Sequence, residues 1–237
     1  MRRASAAVAV GGCATAYRAL MSETSQLLGP FPYRAEAAER LAAITFDDGP
    51  NEPHTTRLAG ILRARDVRAT FFQVGANVAR QPDVARTLLA DGHVIGNHSY
   101  SHAFGQGLGA RTVEDELDRA TDVFGAELGV SPRLYRPPWL LRTPALFRAL
   151  RQRDMTAVSG RFCHPFEVAR IAPARIAAKA VARARPGVIL IFHDGYNATG
   201  GDRAGSVAAA EATLDALLER GYAFTTVDRL LGVAAYA

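Results

Sequence analysis

Two adjacent carboxylates, Asp47 and Asp48, stand at the end of the apolar run Leu41 to Phe46 and are followed at once by Gly49-Pro50. This reads as a strand ending in a loop, and side chains on consecutive residues of a strand diverge. One carboxylate can then bind a cation while its neighbour handles a proton. The same residues would also suit an ordinary Asp-Gly turn in which the carboxylates cap backbone N–H groups. Further along, His98-Ser99-Tyr100-Ser101-His102 spaces two imidazoles four residues apart. On a helical turn both would share a face and reach a common cation. Together with Asp48 they make three protein ligands, a set that leaves zinc a free position for water. His193 directly follows Val188-Ile189-Leu190-Ile191-Phe192. There it would stand at the rim as a general acid, or else be a buried structural histidine.

The elements that must position these residues alternate. Extended apolar runs at 41–46, 69–74, 93–95, 133–136, 155–158, 188–192 and 222–227 are separated by segments with helical spacing, such as Leu58, Ile61 and Leu62, or Val113, Leu117, Phe124 and Leu128. Gly92, Gly129 and Gly221 sit where C-terminal caps belong, and Thr143-Pro144 reads as an N-cap followed by proline at the first helical position. Such alternation implies an α/β chain with parallel strands and right-handed crossovers. Asp47, Asp48, His98, His102, Arg136, His193 and Asp194 all fall at C-terminal strand ends, which in a parallel barrel converge on one mouth.

The chain has 237 residues, 49% hydrophobic and 22% charged, which describes a globular protein with one catalytic domain. Its net charge of +5 comes from scattered arginines. No basic block interleaved with aromatics points to nucleic acid. Cys13 and Cys163 form no CxxC pair, so no redox motif or cysteine zinc site is expected. Met1-Arg2-Arg3 followed by the Ala/Val/Gly-rich stretch Ala4 to Ala16 reads as a signal peptide or weak membrane anchor, or as a simple tail. Residues 1–20 are therefore taken as that tail, 21–39 as a connector broken by Gly29-Pro30-Phe31-Pro32, and 40–237 as the domain.

Four ordered motifs carry a resemblance to a known family. Thr45-Phe46-Asp47-Asp48-Gly49-Pro50, His98-Ser99-Tyr100-Ser101-His102, Arg136-Pro137-Pro138-Trp139 and Ile191-Phe192-His193-Asp194 resemble the motifs of the polysaccharide deacetylases, the NodB-homology domain or carbohydrate esterase family 4. The resemblance runs from about residue 40 to 232. It implies a distorted parallel (β/α)7-type barrel. It further implies that Asp48, His98 and His102 bind a divalent metal, usually Zn2+, with Co2+ or Ni2+ as alternatives. Asp47 would be the general base toward metal-bound water, paired with Arg136. His193 would protonate the departing amine. The backbone N–H of Trp139 would help hold the oxyanion, and Ile191 with Trp139 would shape a slot for the acetyl methyl.

The resemblance has two departures. Family members usually carry an Asp, often followed by Trp, after the fifth strand, where Ser159 to Glu167 here has neither. His164 stands near that position, and Glu167 or Asp194 could supply the missing carboxylate. Leu140 occupies a place where the family often has Gly. Three functions follow: a metal-dependent N-deacetylase of an N-acetylglucosamine-containing glycan (chitin oligomer, peptidoglycan or exopolysaccharide); an O-acetyl xylan esterase or small-amide hydrolase on the same centre; or a non-catalytic glycan-binding protein. A monomer, exported or associated with a bacterial cell envelope, is expected, with a cytoplasmic location as the alternative.

Overall fold

The computed structural model describes residues 16–105, 108–163 and 171–237. Among them are eight strands: β1 (Leu41–Asp47), β2 (Thr70–Gln73), β3 (Val94–Asn97), β4 (Leu134–Tyr135), β5 (Thr156–Ala157), β6 (Arg161–Phe162), β7 (Val188–His193) and β8 (Ala223–Phe224). Every pairing between them is parallel. The order is β5-β4-β3-β2-β1-β7-β6, with β8 added beside β1. The sheet curls into a half-barrel. β1 is its axis. It pairs with β7 over its whole length on one edge. On the other edge it pairs with β8 at Leu41–Ala42 and with β2 from Thr45 to Asp47.

The helices lie outside the sheet: α1 (His54–Arg63), α2 (Gly75–Arg80), α3 (Pro82–Ala90), α4 (Ala110–Leu128), α5 (Pro144–Gln152), α6 (Pro173–Arg183), α7 (Ala204–Glu219) and α8 (Val227–Leu231). Strand periodicity sorts the two faces. Ile44 and Phe46 of β1, with Phe71, Leu190 and Phe192, pack outward against Leu58, Leu62, Phe124 and Leu214. The Phe46 ring lies 5.0 Å from Phe71 and 6.2 Å from Phe192. Burying each such ring contributes about 2 kcal/mol. Ala43 points the other way, into an inner cluster with Phe72, Leu134, Val158 and Ile189. Thr45 and Asp47 continue that inner face toward the mouth.

The expected punctuation is present. Gly92, Gly129 and Gly221 adopt φ of 80°, 69° and 76°. Thr143 Oγ1 accepts a hydrogen bond from Leu146 N at 3.2 Å at the start of α5. The sequence pattern overlooks β6 and α6. Strand β6 is two residues long at the sheet edge and carries a charge. Helix α6 is alanine-rich, so only Ile176 and Val181 mark its buried face with bulk. The last apolar run pairs as a strand over Ala223–Phe224 alone, and from Val227 the chain turns into α8.

The segment read as a connector is built into the barrel. Ser159 N donates to Pro32 O, Ile189 N to Tyr33 O and Ala35 N to Gly187 O. These residues therefore cross the gap beside β7 and bond to Ser159, the second residue after β5. Gly187 has φ of 79°, and a Cβ there would lie 2.0 Å from Ala35 O, so the close approach needs glycine. Phe31 is fully buried, and Arg142 stacks over its ring at 4.5 Å. Among the described residues no helix is long and apolar enough to cross a membrane. Most of the tail, residues 1–15 with Cys13 among them, lies outside the described residues, as do His164 and Glu167.

Candidate active site

Asp47 is the last residue of β1, Asp48 follows it, His98 follows β3, Arg136 follows β4, and His193 closes β7. All five gather at the C-terminal mouth. In the β1–β7 register Asp47 and His193 stand side by side. Asp48 turns away from the strand with φ of 75°, and its carbonyl accepts from Asn77 Nδ2 at 2.7 Å.

The carboxylate of Asp48 meets both imidazoles. Its Oδ1 lies 3.4 Å from His98 Nε2 and 3.1 Å from His102 Nε2. One donor atom from each of the three residues lies within 4.8 Å of the others, and all three residues are buried. Asp48 Oδ1 has no hydrogen-bond partner despite being buried. A buried carboxylate oxygen left in this way is costly unless something else satisfies it. His98 Nδ1 lies 2.6 Å from the carbonyl of Arg136. That bond fixes Nδ1 as the protonated nitrogen and leaves Nε2 as a lone-pair donor. Burial would raise the Asp48 carboxyl, but the His102 and His98 rings, when they carry a proton toward it, outweigh burial and hold it well below the usual carboxylate range. An anionic oxygen and two converging imidazole nitrogens are a donor set that fits a divalent metal such as zinc.

The histidine pair does not lie on a helical turn, contrary to the expectation from its spacing. Residues 98–104 form an irregular loop in which Ser99 and His102 have φ of 68° and 53°. Ser99 N donates to Asn97 Oδ1, and His102 N to Ser99 Oγ. Glu116 of α4 holds the loop from behind. It accepts from Tyr100 N at 3.0 Å, Ser101 N at 2.7 Å and Ser101 Oγ at 2.8 Å. The two imidazole centroids end up 5.0 Å apart.

Asp47 is held by a buried cation. Arg136 Nη1 donates to Asp47 Oδ1 at 2.6 Å and to Thr45 Oγ1 at 2.7 Å, and Nη2 donates to Ser159 O at 2.9 Å. The guanidinium lies over the Phe72 ring at 4.0 Å. Burial lowers its pKa, and Asp47 offsets that only in part. Next to Asp47, at the end of β7, the His193 ring stacks with Phe162 at 6.2 Å and 3° between planes.

Asp194 takes a different post. Its Oδ2 accepts from Thr55 Oγ1 at 2.5 Å, and its main-chain carbonyl accepts from Asn51 Nδ2 at 2.9 Å. A Cβ on Gly49 would lie 2.3 Å from Asp194 Oδ2, so the turn after Asp48 closes over this carboxyl only with glycine. Burial, with Asp48 and Asp47 nearby, pushes Asp194 up to about 7 against the Thr55 hydrogen bond. Trp139 has φ of 54°, and its ring meets His102 edge-on at 4.4 Å. Exposed Phe104 meets Trp139 in turn at 5.2 Å. Ile191 is fully buried one strand repeat below His193, packed against the position of Gly160.

Comparison with known proteins identifies the family. The family model for polysaccharide deacetylase matches residues 34–158, more than half of the chain. The chain belongs to the polysaccharide deacetylase family. It is 32% identical over 194 residues to a peptidoglycan-N-acetylglucosamine deacetylase of Bacillus cereus, covering 81% of this chain and 89% of that one. It is 30% identical over 208 residues to a chitooligosaccharide deacetylase of Bradyrhizobium sp., covering 84% and 94%. Among solved structures it resembles a family 4 acetyl xylan esterase from Clostridium thermocellum, determined with a cobalt ion: TM-score 0.73, 29% identity, 82% of this chain and 93% of that one.

In this family member the sequence reading omits several residues that shape the mouth. Thr45, Ser159, Asn77, Thr55 and Glu116 act through hydrogen bonds to groups distant in sequence. Thr45 is visible inside the first motif, and Asn51 and Thr55 follow it closely. Nothing in the local pattern marks Glu116, which reads as one more charge on an amphipathic helix.

Proposed function

We propose that this deacetylase is a metal-dependent hydrolase that removes N-acetyl groups from an N-acetylglucosamine-containing glycan, giving acetate and a free amino sugar. The observation that carries the reading is the convergence of Asp48 Oδ1 with His98 Nε2 and His102 Nε2, next to Asp47 in its ion pair with Arg136. The names of the two relatives favour peptidoglycan or chitin oligomers as the glycan.

Asp48, His98 and His102 would hold the cation, with Zn2+ favoured over Co2+ or Ni2+. A divalent cation there supplies Lewis acidity, activating water and polarising the acetamide carbonyl. Asp47 takes the proton from the attacking water as that water's oxygen bonds to the acetyl carbon. Arg136 keeps the Asp47 carboxylate oriented through its 2.6 Å hydrogen bond. The backbone N–H of Trp139 stabilises the developing oxyanion. His193 donates a proton to the nitrogen as the C–N bond breaks, which makes the amine a competent leaving group. Trp139 and Ile191 bound the space for the methyl. The basic start and apolar stretch at residues 1–20 support work at the cell envelope.

A pair of variants tests these roles. Asp47→Asn should retain zinc and lose at least about 100-fold in kcat, whereas His98→Ala should lose both zinc and turnover. Wild-type turnover in Asp47→Asn would remove Asp47 as the base. Undiminished zinc binding in His98→Ala would remove the ligand set. The likeness to an acetyl xylan esterase supports a second reading, ester hydrolysis on the same centre. Faster acetate release from acetylated xylan than from N-acetylchitooligosaccharides would favour it.

A further inference from the structure

The end of β7 away from His193 opens onto a second polar feature. A cavity of about 290 Å3 is lined by Tyr33, Arg34, Arg161, Arg183, Arg185 and Val188 among others. Val188 begins β7 and His193 ends it, so the floor of the cavity at Val188 lies five residue steps, roughly 16 Å, from the mouth, and Arg161, paired with Leu190, is the lining residue that stands nearest to it.

Four arginines thus line one space. Glu23 Oε1 lies 3.0 Å from Arg161 Nη1 and 3.5 Å from Arg183 Nη1, a single carboxylate shared between two cations. Arg34 and Arg185 have no carboxylate partner among the described residues. Arg185 Nη1 donates to the carbonyls of Ala182 and Ala184. Arg161 and Arg183 are set in place: Arg161 lies 5.9 Å from the Tyr33 ring, and Arg183 Nη1 donates to Phe162 O. Like charges gathered around a concavity repel one another, and low-dielectric walls focus their field on an anion. Guanidinium forks match oxyanions bidentately. A surplus of positive charge this large favours a multiply charged oxyanion over a single carboxylate.

We propose that this cavity is a binding site for a phosphate group, separate from the reaction centre. The ligand is either a small phosphate compound or the headgroup of an anionic phospholipid, recognised by the same forks. The site does not depend on the deacetylase reading, because none of its residues belongs to the mouth.

Calorimetric titration of inorganic phosphate into the zinc-loaded protein tests it. Because a cation at Asp48 can also bind phosphate, the titration is repeated on Asp48→Asn and on His98→Ala. Phosphate binding should persist in both. It should weaken at least about tenfold in Arg34→Ser/Arg185→Ser, whose two exposed positions leave the fold intact by thermal unfolding. Arg57→Ser/Arg148→Ser removes the same charge elsewhere and should bind as the wild type does. Vesicles of phosphatidylglycerol, set against phosphatidylcholine, then separate the sources. Retention on the anionic vesicles that is lost with Arg34 and Arg185 assigns a lipid headgroup, and phosphate binding without retention assigns a soluble ligand. Absence of phosphate binding in the two metal-site variants would overturn the proposal. So would equal losses in the two arginine pairs.

Discussion

Replacing Arg136 with methionine tests the polar frame beneath the mouth. The guanidinium is fully buried and donates to Asp47 Oδ1, Thr45 Oγ1 and Ser159 O at 2.6, 2.7 and 2.9 Å. Methionine keeps an apolar stem against Phe72 and removes every donor. The Asp47 carboxylate then stays buried without its cation, which costs about 3–5 kcal/mol. Leaving Thr45 Oγ1 and Ser159 O without that donor adds about 1 kcal/mol between them, since Thr45 still donates to Leu190 O. For a chain of this size each kcal/mol moves Tm by about 2–4 °C, so a drop of roughly 10–20 °C is expected. Asp47→Asn removes the charge that made the loss expensive. The double variant should therefore be at least about 2 kcal/mol more stable than the two single costs added together. Urea unfolding of the four proteins at pH 7 with chelator present gives the coupling directly. A single-variant cost below about 1 kcal/mol, or costs additive within about 0.5 kcal/mol, would refute the ion pair as the element that fixes Asp47.

Three further outcomes follow from the same geometry. Burial pushes the His93 imidazole down to about 4. As pH falls from about 6.5 to 4 the unfolded chain gains a proton that the native state refuses, so this term removes stability toward acid. Asp194, pushed up to about 7, acts in the opposite sense, since its native proton is lost from the unfolded chain first as pH rises. The difference between wild type and His93→Asn cancels Asp194, and the variant should gain up to roughly 3 kcal/mol relative to wild type across that window; parallel stability curves would count against a buried neutral His93. Glu116→Ala leaves Tyr100 N and Ser101 N without their acceptor and should weaken zinc binding by about tenfold or more, read by competition with a chromophoric chelator. Unchanged affinity would show that the loop holds its shape without Glu116. Phe104 is 77% exposed beside Trp139, so Phe104→Ala should leave stability within about 0.5 kcal/mol yet raise KM for N-acetylchitotetraose about 2- to 10-fold. An unchanged KM would place the glycan elsewhere.

The polar mouth was legible because its residues stand immediately after apolar runs, and strand ends in a parallel sheet point to one side. Asp47, Asp48, His98, Arg136 and His193 needed only that rule and the order of the motifs. The path of the His98–His102 loop was not legible. Spacing of four suggests a helical turn, while the actual turn depends on positive φ at Ser99 and His102 and on Glu116, a residue on a later helix. Strand β6 and helix α6 escaped for lack of contrast, one being too short and charged and the other nearly all alanine. The segment around Phe31 read as a connector because its bonds run to Ser159, Gly187 and Ile189, partners far along the chain that no local pattern reports.

Acetate release from N-acetylchitooligosaccharides, measured with chelator and again after zinc is restored, tests the central claim most directly. Release that stops with chelator and returns with zinc is the expected result. A folded, zinc-loaded protein that binds these oligomers and frees no acetate from them, from peptidoglycan or from acetylated xylan would contradict it.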